Sequence, residues 1–142
     1  MKTEFYPIEE NRNQQLKYAI VGSRYKFDKW IFVRHRERTT WEIPAGHIEK
    51  GEHPDEAAKR ELFEETGAER YRIYPLMDYS VTNNETKTYG RVYMAEIEEL
   101  GKLPDFEIEE IRFFEDLPLQ LTHPNIQPFV FKKLKKIIQP NE

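Results

Sequence analysis

Residues 46–68 read GHIEKGEHPDEAAKRELFEETGA, and three carboxylates within this stretch decide how the chain is interpreted. Side chains three and four positions apart are neighbours on a helix, so Glu61 is predicted to face both Glu64 and Glu65. Each like-charged pair costs roughly 0.2–0.5 kcal/mol in an isolated helix. A hard divalent cation would remove this repulsion, and ligands that are all oxygen suit Mg²⁺ or Mn²⁺ rather than zinc. The spacing therefore predicts a metal-binding helix.

The ends of this helix are marked by residues with special backbone preferences. Pro54 is typical of a first helical position, so the helix is predicted to start near His53. Gly67 is typical of the residue after a helix, which places Glu64 and Glu65 in the last turn, where the helix dipole is already negative. The alternative is a solvated, charged face of an ordinary surface helix, since 34% of the residues are charged.

The same stretch resembles the signature of the Nudix hydrolases. That signature is a glycine, five residues, a glutamate, seven residues and then Arg-Glu-aliphatic-x-Glu-Glu-x-Gly-aliphatic. The matching positions are Gly46, Glu52, Arg60, Glu61, Leu62, Glu64, Glu65 and Gly67. Ala68 is the one departure, because the family usually carries a larger aliphatic residue there. The resemblance implies a single Nudix hydrolase domain over residues 1–142, with its signature motif, the Nudix box, at 46–68.

Composition and charge narrow the class of protein further. The chain has 142 residues and no cysteine, which excludes disulfides, thiolate metal sites and cysteine nucleophiles. Its longest apolar runs, 19–21 and 30–33, are too short to span a membrane, and we expect a soluble, cytoplasmic protein. The net charge of −4 argues against a stable nucleic-acid partner or an anionic membrane. We expect a monomer or homodimer, and the Nudix resemblance implies a small nucleotide substrate.

Alternating and helical patterns outline the remaining elements. Strands are predicted over 17–25 and 29–36 with a turn at Phe27-Asp28, over 71–82 and 88–98 with a turn at Asn83-Asn84, and over 111–115, while 41–48 is extended. A final helix is predicted from about Pro124, with an apolar stripe that packs on the sheet rather than on RNA or a membrane. The order resembles the Nudix fold, an α/β (α+β) arrangement with a mixed β-sheet sandwiched between helices.

The resemblance also implies roles for residues in and beside the box. Glu61, Glu64 and Glu65 would ligate the metal, with the backbone carbonyl of Ala45 as a further ligand. Glu52 would support the site from nearby. Arg60 lies four residues before Glu64 and would pair with carboxylates, which would hold the acidic side chains of the helix in position.

The first candidate for the general base and the candidate substrate contacts lie outside the box. The resemblance implies a further glutamate on a loop before a late strand, and Glu107, which precedes the predicted strand at 111–115, is therefore the candidate base. Glu109, Glu110 and Glu61 are rivals, and a solvated acidic loop is the alternative. Arg34, Arg36 and Arg38 are candidates for phosphate binding, because guanidinium groups match phosphate oxygens, or are solvated strand ends. Tyr79, Tyr89 and Phe106 are candidates for stacking on a base, or core residues.

The resemblance implies a hydrolase that cleaves a nucleoside diphosphate linked to another moiety, with Mg²⁺ or Mn²⁺. The small chain resembles the branch that splits nucleoside triphosphates, including damaged ones, into monophosphate and pyrophosphate. ADP-ribose hydrolysis is an alternative, because the residues 43–46, Ile-Pro-Ala-Gly, resemble the corresponding segment of those enzymes. Hydrolysis of dinucleotide polyphosphates and nucleotide sensing without cleavage are further alternatives.

Overall fold

The computed structural model describes residues 1–26 and 29–138. Its regular elements are strands in two runs of three after an N-terminal strand and a 3₁₀ helix, with one α-helix after each run. They are β1 (Lys2–Tyr6), a 3₁₀ helix (Glu10–Gln15), β2 (Leu16–Tyr25), β3 (Lys29–His35), β4 (Ala45–His47), α1 (Pro54–Thr66), β5 (Ala68–Asn83), β6 (Thr86–Leu100), β7 (Ile108–Phe114) and α2 (Gln127–Ile138).

The strands form one seven-stranded mixed sheet in the order β1-β5-β6-β2-β3-β7, with β4 paired to β2. Strands β2 and β6 run parallel, and the other neighbours are antiparallel. The parallel pair needs a long crossover, and the chain between β2 and β6 supplies it with β3, β4, α1 and β5. This crossover brings α1 across one face of the sheet.

Two hydrophobic clusters fill the two sides of the sheet. Helix α1 contributes Ala58 and Leu62 to one cluster, and α2 contributes Val130, Phe131 and Leu134 to the other. Burying a side chain such as leucine contributes about 1.5–3 kcal/mol, so both helices are anchored by their apolar faces. The predicted sheet sandwiched between helices is confirmed.

Helix α1 begins and ends where its sequence predicts. The Nδ1 atom of His53 accepts a hydrogen bond from the backbone N–H of Asp55 at 3.0 Å, and Pro54 is the first helical residue. Gly67 has φ +77°, and its N–H donates to the carbonyl of Phe63 at 2.9 Å. A side chain at position 67 would also collide with the backbone oxygen of Lys102, so glycine is required there.

Several other predicted boundaries shift. The β5–β6 turn is formed by Asn84 and Glu85, one residue later than predicted, because Asn83 still pairs with Thr86. Helix α2 begins at Gln127 rather than near Pro124. The last predicted strand, 111–115, is observed as β7 over Ile108–Phe114. The predicted turn at Phe27-Asp28 lies outside the described residues.

The extended stretch predicted at 41–48 contains only a three-residue strand, β4. Pro44 has no N–H to donate to a ladder, and Trp41 and Glu42 instead form isolated bridges with Leu121 and Val33. Strand β1 was not predicted, because its conformation depends on pairing with β5, about 75 residues away in the chain. Among the described residues, neither helix is both long and apolar enough to cross a membrane.

Candidate active site

Gly46 lies on β4 directly against the side chain of Glu61 on α1. A Cβ atom at position 46 would overlap the Glu61 carboxylate. The backbone of β4 can therefore approach the helix only because residue 46 has no side chain. The same strand pairs with β2 through Gly46 and Ala19. The sheet therefore fixes the position of the β4 backbone against which the Glu61 carboxylate lies.

Glu65 points inward from the last turn of α1. Its Oε1 atom accepts a hydrogen bond from the backbone N–H of Ala45 at 3.0 Å. Burial raises the pKa of Glu65 well above its usual value, the Ala45 N–H opposes the rise, and the charges of Glu61, Glu42 and Glu107 add to it. Burial is also the largest cause of the raised pKa of Glu61. Both carboxylates lie where an unneutralised negative charge is unfavourable.

Arg60 joins the box loop to the acidic face of the helix. Its Nε and Nη2 atoms each donate to a different oxygen of Glu52 at 2.9 Å, and Nη2 also donates to the carbonyl of His47. Its Nη1 atom donates to Glu61 Oε1 at 2.7 Å and lies 3.5 Å from Glu64 Oε2. These contacts raise the pKa of Arg60 and lower that of Glu52. Arg60 thus lies where it can hold the acidic side chains in position, as the resemblance implies.

These residues border a cleft of about 530 Å³ between β4, α1 and the segment before β7. Its walls combine many carboxylates with a few cations, imidazoles and aromatic rings. They are formed by Tyr18, His35, Arg38, Glu42, Ala45, Gly46, His47, Glu49, Arg60, Glu61, Glu64, Glu65, Phe106, Glu107, Ile108 and His123. Six carboxylates thus face one open volume, which repels any anionic ligand that arrives without a cation.

Comparison with known proteins gives this geometry its context. The family model described as NUDIX domain matches residues 17–132, a range that includes every box residue. This chain belongs to the Nudix family. The Nudix resemblance is confirmed, and so is the prediction of a hydrolase that acts on phosphoanhydride bonds.

The relatives of this Nudix hydrolase include proteins named as pyrophosphohydrolases. YtkD of Bacillus subtilis (strain 168), a putative 8-oxo-dGTP diphosphatase, is 35% identical over 118 residues, covering 76% of this chain and 74% of the relative. A probable DHNTP pyrophosphohydrolase of Lactococcus lactis subsp. cremoris is 30% identical over 122 residues, covering 77% and 74%. The crystal structure of a variant of the Bacillus subtilis pyrophosphohydrolase BsRppH matches with a TM-score of 0.77 and 29% identity, covering 95% of this chain and 90% of that one.

The three glutamates before and within β7 that were candidates for the general base have different surroundings. Glu107 lines the cleft, while Glu109 pairs with Arg36 and Glu110 pairs with Arg34. The backbone carbonyl of Glu107 accepts from the N–H of Arg36 at 3.0 Å, which holds the segment before β7 against the end of β3. Among these three glutamates, position favours Glu107.

Three substrate-binding candidates need correction. Arg34 and Arg36 do not line the cleft, because Arg34 is held by Glu110 and Arg36 by Asp105 and Glu109. Tyr79 is 4% exposed and packs in the core cluster beneath α2. Its prediction as a base-stacking residue is wrong, since the ring is buried behind the cleft. Arg38 and Phe106 do line the cleft.

A cluster around Glu42 was missed by the sequence reasoning. The buried Glu42 carboxylate lies 2.9 Å from Nε2 of His35, 3.6 Å from Nε2 of His123 and 3.4 Å from Nη1 of Arg38. The other ring nitrogen of His35 lies 3.8 Å from Glu107. These residues have no local spacing that would reveal a cluster, because positions 35, 42 and 123 meet only after the sheet forms. They place one guanidinium and two imidazole rings beside the acidic face.

The donor set suits a hard cation. Within residues 1–26 and 29–138 no three histidine or acidic side chains form a ready-made metal cluster. Arg60 contacts Glu61 and Glu64, and the Ala45 N–H donates to Glu65. The cleft nevertheless collects carboxylate oxygens whose charges are only partly compensated, and the pKa values of Glu61 and Glu65 are raised. Oxygen ligands of this kind fit Mg²⁺ or Mn²⁺.

Proposed function

We propose that this Nudix hydrolase converts nucleoside triphosphates, including oxidised or otherwise damaged ones, into nucleoside monophosphate and pyrophosphate. The observation that carries the proposal is the cleft in which Glu61, Glu64 and Glu65 face Glu42 and Glu107. Two relatives support the substrate class, because their names describe the cleavage of 8-oxo-dGTP and DHNTP.

Mg²⁺ or Mn²⁺ is the cofactor of this proposal. Glu61, Glu64, Glu65 and the backbone carbonyl of Ala45 would hold it, and it would neutralise the phosphate oxygens as charge develops in the transition state. Burial and the charges of neighbouring carboxylates raise the pKa values of Glu61 and Glu65, so their ionised forms are unfavourable without a cation. A bound cation would stabilise these ionised carboxylates. A triphosphate enters this acidic cleft only with its charge compensated.

The remaining residues have roles in positioning and proton transfer. Glu107 lines the cleft and is exposed to solvent, so it would accept the proton of the attacking water. Arg60 would keep Glu61 and Glu64 oriented through its anchor on Glu52. His35, which contacts Glu42 and lies 3.8 Å from Glu107, would limit the range of positions open to the Glu107 carboxylate.

The compartment and the oligomeric state complete the proposal. We expect the enzyme to act in the cytoplasm, because the absence of cysteine suits a reducing compartment. Its proposed small-molecule partners are nucleotides. We expect a monomer or homodimer, which light scattering of the purified chain would measure.

A panel of nucleotides tests the proposal directly. Purified protein with Mg²⁺ or Mn²⁺ would be offered GTP, 8-oxo-dGTP, ADP-ribose and a dinucleotide polyphosphate, with products separated by ion-exchange chromatography. The expected result is a higher kcat/KM for a triphosphate, with monophosphate and pyrophosphate as products. A clear preference for ADP-ribose would overturn the substrate class, and tight binding without cleavage would indicate a sensor. Glu65→Gln is the control for contaminating phosphatases.

A further inference from the structure

Tyr18 and His47 form an aromatic pair on the wall of the cleft. They are directly opposite each other on the paired strands β2 and β4, and their ring centroids are 4.6 Å apart at an interplanar angle of 51°. Both residues line the cleft, and Tyr18 retains 37% of its accessible surface. The flanking β2 residues Leu16, Ala19 and Ile20 are buried. An aromatic ring left open on a central strand at a cleft is available to a ligand.

A second, buried ring lies in the same row of the sheet as Tyr18. Gly90 on β6 is the register partner of Tyr18 on one side and of Tyr79 on the other. A side chain at position 90 would overlap the Tyr79 ring, so the missing side chain makes room for that ring. The Tyr79 ring therefore lies over the strand position that pairs with Tyr18. Tyr18 thus has a buried aromatic residue two strands away at the same level of the sheet.

The pair is also connected to the acidic helix. His47 follows Gly46, whose backbone lies against the Glu61 carboxylate, and the carbonyl of His47 accepts a hydrogen bond from Nη2 of Arg60 at 2.9 Å. A planar group on the Tyr18 ring thus lies one residue along β4 from the strand position that contacts Glu61. The aromatic pair and the acidic helix are thus neighbouring parts of one cleft. This arrangement suits a nucleotide whose base lies on the Tyr18 ring and whose phosphates lie at the acidic helix.

We propose that Tyr18, paired with His47, is the stacking surface for the nucleobase of the substrate. This inference rests on the proposed nucleotide hydrolysis and deepens it by naming the residues that bind the base. Stacking tolerates any base because every base has a π face, and the larger face of a purine gains more from it. The Tyr18 ring therefore contributes to affinity for nucleotides in general and favours purines over pyrimidines.

Phe106 is the rival surface within the same cleft. It is 53% exposed and lies beside Glu107 in the segment before β7. Among the ring contacts of the described residues, none involves Phe106, whereas the Tyr18 ring pairs with that of His47. An ordered ring loses less conformational entropy when a ligand binds, which favours Tyr18.

A matched pair of ligands isolates the base. Isothermal titration calorimetry would compare the binding of GMP and ribose 5-phosphate, which share the sugar and phosphate but differ in the base. The chains would be the unmodified protein, Tyr18→Phe, Tyr18→Leu and Phe106→Ala, with Phe129→Ala as an exposed aromatic control on α2, outside the cleft. Thermal melts would confirm that each variant is folded, and Tyr18→Leu keeps apolar volume while it removes the π face.

The expected pattern is specific to stacking. Tyr18→Leu should weaken GMP binding by about 5- to 100-fold and leave ribose 5-phosphate binding unchanged, while Tyr18→Phe and Phe129→Ala retain the affinity for GMP. Unchanged GMP binding in folded Tyr18→Leu, or a loss seen only in Phe106→Ala, would overturn the proposal. Equal affinity of the unmodified protein for GMP and ribose 5-phosphate would overturn it as well. This experiment distinguishes failure of the stacking proposal from failure of the proposed function. If only the proposed function fails, GMP binds through Tyr18 but no triphosphate is hydrolysed.

Discussion

Arg60 and Glu52 form a two-point salt bridge in which the Nε and Nη2 atoms of the guanidinium each lie 2.9 Å from a different carboxylate oxygen. The pair connects the loop after β4 to the middle of α1. Such planar, two-point contacts carry more directional specificity than a lysine could supply. The same guanidinium contacts Glu61 and Glu64. The position of the loop therefore affects the orientation of these two carboxylates.

The Glu52 salt bridge should make stability depend on acid. The pKa of Glu52 is lowered below its usual 4.5, chiefly by its hydrogen bonds with Arg60, so its stabilising effect is complete above that value and is lost as the pH falls through the lowered pKa. Glu52→Gln should therefore be less stable than the unmodified protein at pH 7, and this difference should shrink below about pH 4.5. Urea unfolding over a pH series measures it. Glu98→Gln, whose partner Arg70 is exposed, should show little difference at any pH.

The acidic face should respond to metal in both folding and activity. Glu65→Gln removes a buried charge, so we expect a melting temperature about 2–6 °C higher without metal and at least a 100-fold loss of turnover. Mg²⁺ should raise the melting temperature of the unmodified protein but not that of the variant, and a chelator should abolish turnover. Glu56→Gln, an exposed change on the same helix, serves as the control. Turnover that survives exhaustive metal removal would contradict the metal assignment.

Glu107 should affect the rate far more than it affects metal binding. Because it is placed to accept the proton of the attacking water, Glu107→Gln should lower kcat by about 10²–10⁴-fold with little change in the Mg²⁺ concentration for half-maximal activity. Steady-state kinetics would compare it with Glu109→Gln and Glu110→Gln, whose carboxylates pair with arginines outside the cleft. A large loss in either neighbour and a small one in Glu107→Gln would move the assignment.

Gly46 and Gly51 should separate activity from stability. Gly46→Ala places a methyl group on the Glu61 carboxylate, which is the flexible end of a side chain, so the fold should persist while turnover falls at least 10-fold. Gly51 has φ +80° and open space where a Cβ atom would lie, so Gly51→Ala should lower stability by about 1 kcal/mol and spare turnover. Thermal melts and rates on the same samples would measure both effects. Normal rates in Gly46→Ala would show that the close approach is dispensable.

A buried ion pair between β5 and β6 should contribute strongly to the stability of the fold. Asp78 and Arg91 are both buried, with Nε of Arg91 2.5 Å from Oδ1 of Asp78, and Arg12 donates to the same carboxylate. Asp78→Asn leaves the Arg91 charge without its partner and should cost about 3–5 kcal/mol. Chemical denaturation would compare it with Arg70→Ala, an exposed pair whose loss should cost less than about 1 kcal/mol. Similar losses in both variants would contradict this interpretation.

Local features of the sequence were sufficient for helix α1 and its acidic face. His53, Pro54 and Gly67 specify the ends of the helix through capping and backbone preferences that act within a few residues. The spacing of Glu61, Glu64 and Glu65 then follows from the helical period alone. These interactions do not depend on the rest of the chain, and the Nudix signature is readable for the same reason.

Contacts between distant segments decided the rest of the site. Tyr79 and Tyr18 are both strand aromatics, yet only the register of β2, β5 and β6 buries the first and leaves the second open to the cleft. His35 and His123 acquire a partner in Glu42 because the sheet and the segment before α2 bring them together. Strand periodicity assigns side chains to alternating faces, but it does not say which face is covered or which strands are adjacent, and those two facts determine whether a residue is core or site.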